Sequence, residues 1–342
     1  MCADSSSECW VELKDAPPIP GLRFRRFRGK SDFSEIVAVS RGMREADQVE
    51  YTISADDLAM QFQMLSSGMG FDSQKDVLIA EIAGKVIGWS QVMRAQDQFG
   101  KGMYSHFVDL LPDWYGKGIR AVMLRQNEQR LRKIAEAHPA DIPWAFQSKA
   151  ADSEKDWISV LASEGYSAFR YSFKMVRPNL EDVPDFPLPE GIEVRPVKPE
   201  HYQAIINAWN EAIKDMRSLI PISNEAFEMF QKLPMFDPSI WQIAWHENTV
   251  VGTVMNYVDE QENKEYNRKR GYVEGISVQR PWRGKGVAKA LIARSLKLLK
   301  DRGMTEAALG VDAENPSGAV HLYQKTGFKV HKKSASYRKP MN

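Results

Sequence analysis

The residues best suited to chemistry lie in the run Arg283-Gly284-Lys285-Gly286-Val287-Ala288. It follows the strand-like stretch YVEGISV and opens a segment whose apolar residues Ala288, Leu291, Ile292, Leu298 and Leu299 fall on one helical face. Gly303 stands where a C-terminal cap is expected. A strand, a tight Gly-x-Gly turn and a helix N-terminus together make an anion site. Glycines let the backbone approach the ligand, free N–H groups point at it, and the helix dipole favours negative charge. Pyrophosphate fits that description. Two other phosphate loops do not match: the GxxxxGK[ST] pattern is absent, and a dinucleotide GxGxxG needs glycine where Lys289 stands.

The surroundings of this run resemble the GNAT superfamily of N-acetyltransferases. RPWRGKGVAKAL is similar to motif A of that family in its RGxGxA form. The strict [RQ]xxGx[GA] pattern would begin at Pro281, with Arg280 just before it and Arg283 just after. Downstream, the stretch from Asn315 to Phe328 resembles motif B, with Ala319, Tyr323, Gly327 and Phe328 at its fixed positions. The resemblance covers residues 192–338 and, more faintly, 22–177.

What this resemblance implies can be set against chemical need. Attack of an amine on a thioester requires a deprotonated amine, a polarised carbonyl and a protonated leaving thiolate. The cofactor implied is acetyl-CoA, held beside a primary amine so that proximity supplies much of the rate. Backbone N–H groups of Arg283, Gly284, Lys285, Gly286, Val287 and Ala288 would hold its pyrophosphate, and the backbone of Ile276, Ser277 and Val278 would face pantetheine and thioester oxygen. Glu274, four residues before Val278, takes the place of a general base acting through water; a surface strand glutamate or a contact to the ligand's ammonium are the other readings. Tyr323 takes the place of the acid that protonates the thiolate, with a packing aromatic as the other reading. Asn315 would bond the pantetheine arm, cap the following helix, or do both. His321, two positions from Tyr323, falls on another helix face and reads as structural or exposed. No metal is implied.

The first half serves as a control. It keeps Tyr115-Gly116-Lys117-Gly118-Ile119 but has Arg120 where the second half has Ala288. His106 stands in the place of Glu274 and Leu161 in that of Tyr323. Leucine donates no proton, so this half is expected to be degenerate, whether it supports its partner, walls the substrate site or binds CoA idly.

The elements that must position these residues repeat. LRFRRF from Leu22 and IEVRPV from Ile192 both alternate like strands and run into helical segments. Two-strand hairpins follow, turning at Ala83-Gly84 and at Glu247-Asn248. Each half then has a strand, a glycine turn and a long helix, and closes with a Gly-aromatic pair, Gly165-Tyr166 or Gly327-Phe328. Between the halves, PNLEDVPDFPLPEG carries four prolines and is expected to be extended. The reading is an N-terminal extension (1–20), a degenerate domain (21–177), a Pro-rich linker (178–191) and a catalytic domain (192–342). Each domain is expected to be α/β (α+β), a mostly antiparallel mixed sheet with helices on both faces.

Composition bounds the rest. A formal net charge of +1 in 342 residues gives no field that favours nucleic acid, an anionic membrane or acidic partners. The basic run Arg268-Lys269-Arg270 has acidic neighbours and reads as a solvated loop. Cys2 and Cys9 both fall in the first ten residues, and no Cys/His cluster has zinc spacing. No signal-like leader or membrane-length apolar run is present, so a soluble cytoplasmic protein, monomer or homodimer, is expected. The acceptor is expected to be a small polar amine, bound by the segments 214–231 and 261–272. The tandem plan is similar to that of the mycothiol synthases, and the YVEGISV and RGKGVAKALI stretches to aminoglycoside 6′-N-acetyltransferases. A CoA-binding module without transfer and transfer of a longer acyl group are the rival expectations.

Overall fold

The computed structural model describes residues 10–68, 70–96, 102–137, 144–215, 221–315 and 318–341. Its elements divide into two units, Met1–Arg170 with Ser334–Asn342, and Tyr171–Lys333. The N-terminal elements are β1 (Trp10–Val11), β2 (Leu22–Arg26), α1 (Lys30–Asp47), α2 (Ala55–Gly68), α3 (Ser73–Asp76), β3 (Val77–Ile82) and β4 (Lys85–Gln96). Then come β5 (Gly102–Leu110), α4 (Ile119–Ala135), β6 (Ala145–Ala151), α5 (Lys155–Ser163) and β7 (Ser167–Arg177). The next stretch holds β8 (Glu193–Val194), α6 (Tyr202–Ala212), α7 (Asn224–Phe230), β9 (Gln242–His246), β10 (Thr249–Val254) and β11 (Tyr257–Val258). The chain continues through α8 (Glu260–Glu265), β12 (Arg270–Tyr272), β13 (Ser277–Val278), α9 (Val287–Asp301), β14 (Glu306–Asp312), α10 (Ala319–Lys325) and β15 (Lys329–Pro340).

In the first unit the strands run β1-β2-β3-β4-β5-β6-β15, antiparallel except for β5 beside β6. Alternation along β3 sends Val77 and Ile79 to one face and Leu78 and Ala80 to the other. The first pair packs with Ile36 and Val39 of α1 and Leu58 and Phe62 of α2. The second packs with Ile119, Met123 and Leu131 of α4. The β3–β4 turn is the two residues Ala83 and Gly84, both at positive φ, which matches the twist of the flanking strands.

The second unit has two sheets, β7-β14-β12-β11 and β13-β10-β9-β8. Helices again cover both faces. Leu291, Ile292, Leu296 and Leu299 of α9 pack with Val251 and Leu309, while Ile205 and Ile206 of α6 pack with Ile243, Trp245 and Val250. Each such buried side chain contributes about 1.5–3 kcal/mol. Gly303 ends α9 in the left-handed region, and Met304 N–H returns to Leu299 C=O at 3.0 Å.

The units do not follow the linker. Strand β15 runs antiparallel to β6, from Ser334 opposite Ala151 to Pro340 opposite Ala145. Strand β7 runs antiparallel to β14, from Ser172 opposite Asp312 to Arg177 opposite Ala307. The strand that closes each half of the sequence therefore completes the sheet of the other unit. Residues 178–191 carry no strand or helix and belong to the second unit, where Leu180 is buried. Cys2, Cys9 and residues 216–220 of the first acceptor segment lie outside the described residues.

Candidate active site

Sequence reading makes YVEGISV one strand; the structure divides it. Strand β12 pairs in parallel with β14, and Val273 N–H extends that pairing to Ala308 C=O at 2.9 Å. Strand β13 pairs instead with β10, Ser277 opposite Thr253 and Val278 opposite Gly252. The crossing occurs at Glu274 and Gly275. Gly275 has φ +59°, and a Cβ there would lie 2.6 Å from the Met255 Cε, so only glycine fits. Met255 N–H donates to Glu274 C=O at 2.7 Å, and Thr253 Oγ1 donates to Gly275 C=O at 2.7 Å. Beyond this fork β13 has β10 on one edge and, among the described residues, no strand on the other. Ser277 is buried with its hydroxyl 2.8 Å from that of Thr253; Ile276 and Val278 are half-buried.

Val278 leads to the glycine turn. Gly284 and Gly286 sit at φ +76° and +91°, and a Cβ on either would meet nothing within 4 Å. Their conformation requires glycine, and the space before the turn is open. Helix α9 starts with Gly286 as its N-cap and no side-chain cap; its first backbone bond here runs from Ala290 N–H to Gly286 C=O at 3.0 Å. The first-turn N–H groups thus have no acceptor within the helix. Arg283 braces the turn from behind, its guanidinium donating to Val278 C=O and Ala212 C=O at 3.0 Å each. Val287 is packed in the core, Ala288 is half-buried, and the Lys285 ammonium lies 4.7 Å from the Trp282 ring centre.

At the fork, Glu274 Oε1 accepts the Gly310 N–H at 2.7 Å. Burial pushes this carboxyl up to about 7, with the Gly310 hydrogen bond and the charge of Lys174 acting in the opposite sense. Tyr323, on α10, is 7% exposed and lies edge-on to Phe328. Burial raises its phenol pKa, and the Glu274 charge adds to the rise, so the two groups are within electrostatic reach. Tyr257 also feels Glu274; its ring stacks on Tyr272 with centres 4.6 Å apart. Sequence reading missed Tyr257, Gly310 and Lys174, which reach the fork through long-range strand pairing and carry no local motif. Asn315 lies in the turn after β14, its N–H bonded to Asp312 C=O at 3.2 Å. The N-cap of α10 is Gly318, whose N–H donates to Asn315 C=O at 3.2 Å. His321 is exposed.

The first unit repeats the turn and fills it. Gly116 and Gly118 have φ +68° and +81°, and Gly118 is the left-handed N-cap of α4. Asp156, in the first turn of α5, accepts Gly116 N–H at 2.9 Å and Arg120 Nη1 at 2.8 Å. Arg120 is 2% exposed. In the second unit these places belong to Ala288 and Gly318, which have no charge to offer. Leu161 is core. His106 is fully enclosed: Tyr166 donates its hydroxyl proton to Glu128 at 2.9 Å, so His106 Nε2 donates to the phenol oxygen at 2.7 Å. Burial holds this imidazole neutral, down to about 3.

An open β-edge, a glycine turn at a helix N-terminus and a carboxyl at the fork are now assembled in one unit. Residues 207–328 match the Acetyltransferase (GNAT) family. The second unit carries a GNAT acetyltransferase domain. The acyl donor of GNAT enzymes is acetyl-CoA, and the second unit fits it: the free edge of β13 suits an extended pantetheine arm and the turn suits pyrophosphate. The chain is 28% identical to the mycothiol acetyltransferase of Streptomyces bingchenggensis over 234 residues, 66% of this chain and 67% of that one. Its fold is that of the GCN5-related N-acetyltransferase from Sphaerobacter thermophilus, with a TM-score of 0.73, 23% identity and 97% and 98% of the two chains covered. A tandem GNAT protein from the clavulanic acid biosynthesis pathway superposes with a TM-score of 0.66 at 12% identity, over 94% of this chain and 99% of that one. Among the described residues, no helix is long and apolar enough to cross a membrane.

Proposed function

We propose that the second unit moves an acetyl group from acetyl-CoA to the primary amine of a small polar molecule, by direct attack with both substrates bound. The thioester supplies the activated acyl group. Residues 283–288 would hold the pyrophosphate through backbone N–H groups, and Ile276, Ser277, Val278 and Asn315 would align the arm. Glu274 keeps Oε1 on Gly310, leaving Oε2 to take a proton from the acceptor ammonium, directly or through water. A carboxyl lifted towards 7 is matched to that task near neutral pH. Tyr323 delivers its hydroxyl proton to the departing sulfur and recovers one from the amine that has become an amide.

The observation that carries this reading is the half-buried Glu274 carboxyl at the fork, held by the Gly310 N–H at 2.7 Å beside the free edge of β13. The first unit presents neither group, and its anion turn is taken by Asp156. The mycothiol acetyltransferases among its relatives make a cysteinyl sugar amine the first acceptor to try. The test is thiol release from acetyl-CoA across cysteinyl sugars, aminoglycosides, polyamines, amino acids and peptides. Turnover of one class, lowered about 100-fold or more by Glu274→Gln and by Tyr323→Phe, is expected. Turnover untouched by both substitutions would overturn the assignment.

A further inference from the structure

Extending the parallel register of Tyr272 opposite Ala308 by two residues brings Glu274 beside Gly310, and the 2.7 Å bond between them agrees. On the other edge of β14, Lys174 is the direct antiparallel partner of Gly310. Residues paired across strands share a face. Glu274, Gly310 and Lys174 therefore form a row over three strands whose middle member has no side chain. A Cβ at residue 310 would lie 3.5 Å from Glu274 Oε1, so glycine leaves the carboxylate and the ammonium facing each other across bare backbone. The Lys174 Nζ lies 5.5 Å from the centre of the Tyr272 ring, two residues before Glu274, so its side chain spans β14 towards β12.

We propose that Lys174 is a positioning residue, the cation that holds the Glu274 carboxylate ionised at the acceptor end of the cleft. The proposal rests on the base role given to Glu274 above. Besides Lys174 on β7, the titratable groups acting with Glu274 are Tyr257 on β11 and Tyr323 on α10, and Tyr257 stacks on Tyr272 of β12. Glu262 and Asp259 act on Tyr257 in turn. Phenols are neutral at working pH, and the two acids oppose ionisation of their neighbours. Lys174 supplies the opposing charge, from a strand that precedes the linker.

The full-length protein is titrated by carbon-13 NMR of its glutamate carboxyls, with Glu274→Gln identifying the Glu274 signal. In Lys174→Met and Lys174→Gln the Glu274 midpoint is expected to move to higher pH by about one pH unit, and Lys174→Arg to restore it. The acid limb of kcat/KM moves by the same amount, roughly tenfold lower activity below the limb with recovery above it, while CoA affinity by calorimetry is unchanged. A midpoint that stays put in folded Met and Gln variants overturns the proposal. If the midpoint moves but Glu274→Gln keeps full turnover, the base role falls and the electrostatic pairing stands.

Discussion

Asp156 accepts a hydrogen bond from the Gly116 N–H at 2.9 Å, in the place where the second unit has Gly318. The first unit carries its own anion, and Arg120 neutralises it. One CoA per chain is the expected stoichiometry in titration calorimetry. Gly286→Val, at φ +91°, should abolish that binding, because a β-branched residue is strained there and obstructs the approach to the N–H groups. Two sites per chain would contradict the filled turn.

The same pair bears on stability. Removing Asp156 leaves the Arg120 guanidinium buried without its direct ion-pair partner. Asp156→Ala should cost about 3 kcal/mol, the lower end for a broken buried pair because Asp156 retains some exposure. Urea unfolding of the first unit checks it; a change within 0.5 kcal/mol, about that of a surface site, would show the pair to be solvated.

Catalysis should follow the Glu274 carboxyl. Burial raises its pKa, so the free acid persists up to about 7 and the base form exists above it. The expected kcat/KM profile falls roughly tenfold per pH unit below that midpoint and levels above it. Glu274→Gln should remove the acid limb.

His106 titrates in the other direction. Its folded value lies near 3 and an exposed histidine is near 6.5, so between these limits the unfolded chain binds more protons. Its contribution is complete above about 6.5 and is lost as pH falls towards 3. The melting temperature should decline across that window, and His106→Gln, which can still donate to Tyr166, should flatten the decline.

A fragment of residues 192–342 should not fold, although it carries every motif residue. It lacks β7, leaving β14 with a bare edge, and loses Arg177, which donates to Thr326 C=O at 2.7 Å. Residues 171–333 should fold and bind CoA. Circular dichroism and CoA titration of the two fragments distinguish these outcomes.

Local chemistry made part of this legible in the sequence. The two glycine turns, the Ala83-Gly84 and Glu247-Asn248 hairpins and the Gly303 cap each depend on a few adjacent residues with restricted backbone choices. Gly275 offered a signal that went unread: a glycine inside a strand marks a bend, and here it marks the fork. The exchange of β7 and β15 had no signal. Both strands follow a Gly-aromatic pair, and nothing in their alternation selects a partner sheet. Asp156 reads as an ordinary first-turn acid on α5, since only the tertiary fold brings it to Gly116.

The pairing of β6 with β15 also sets an order of events during synthesis. From the time residue 151 leaves the ribosome until residue 340 does, β6 has no partner on the edge that β15 will occupy. Unpaired edges recruit other strands. The nascent first half must therefore wait with an exposed edge while the second is made, and its last strand arrives only when translation has passed the acetyltransferase motifs.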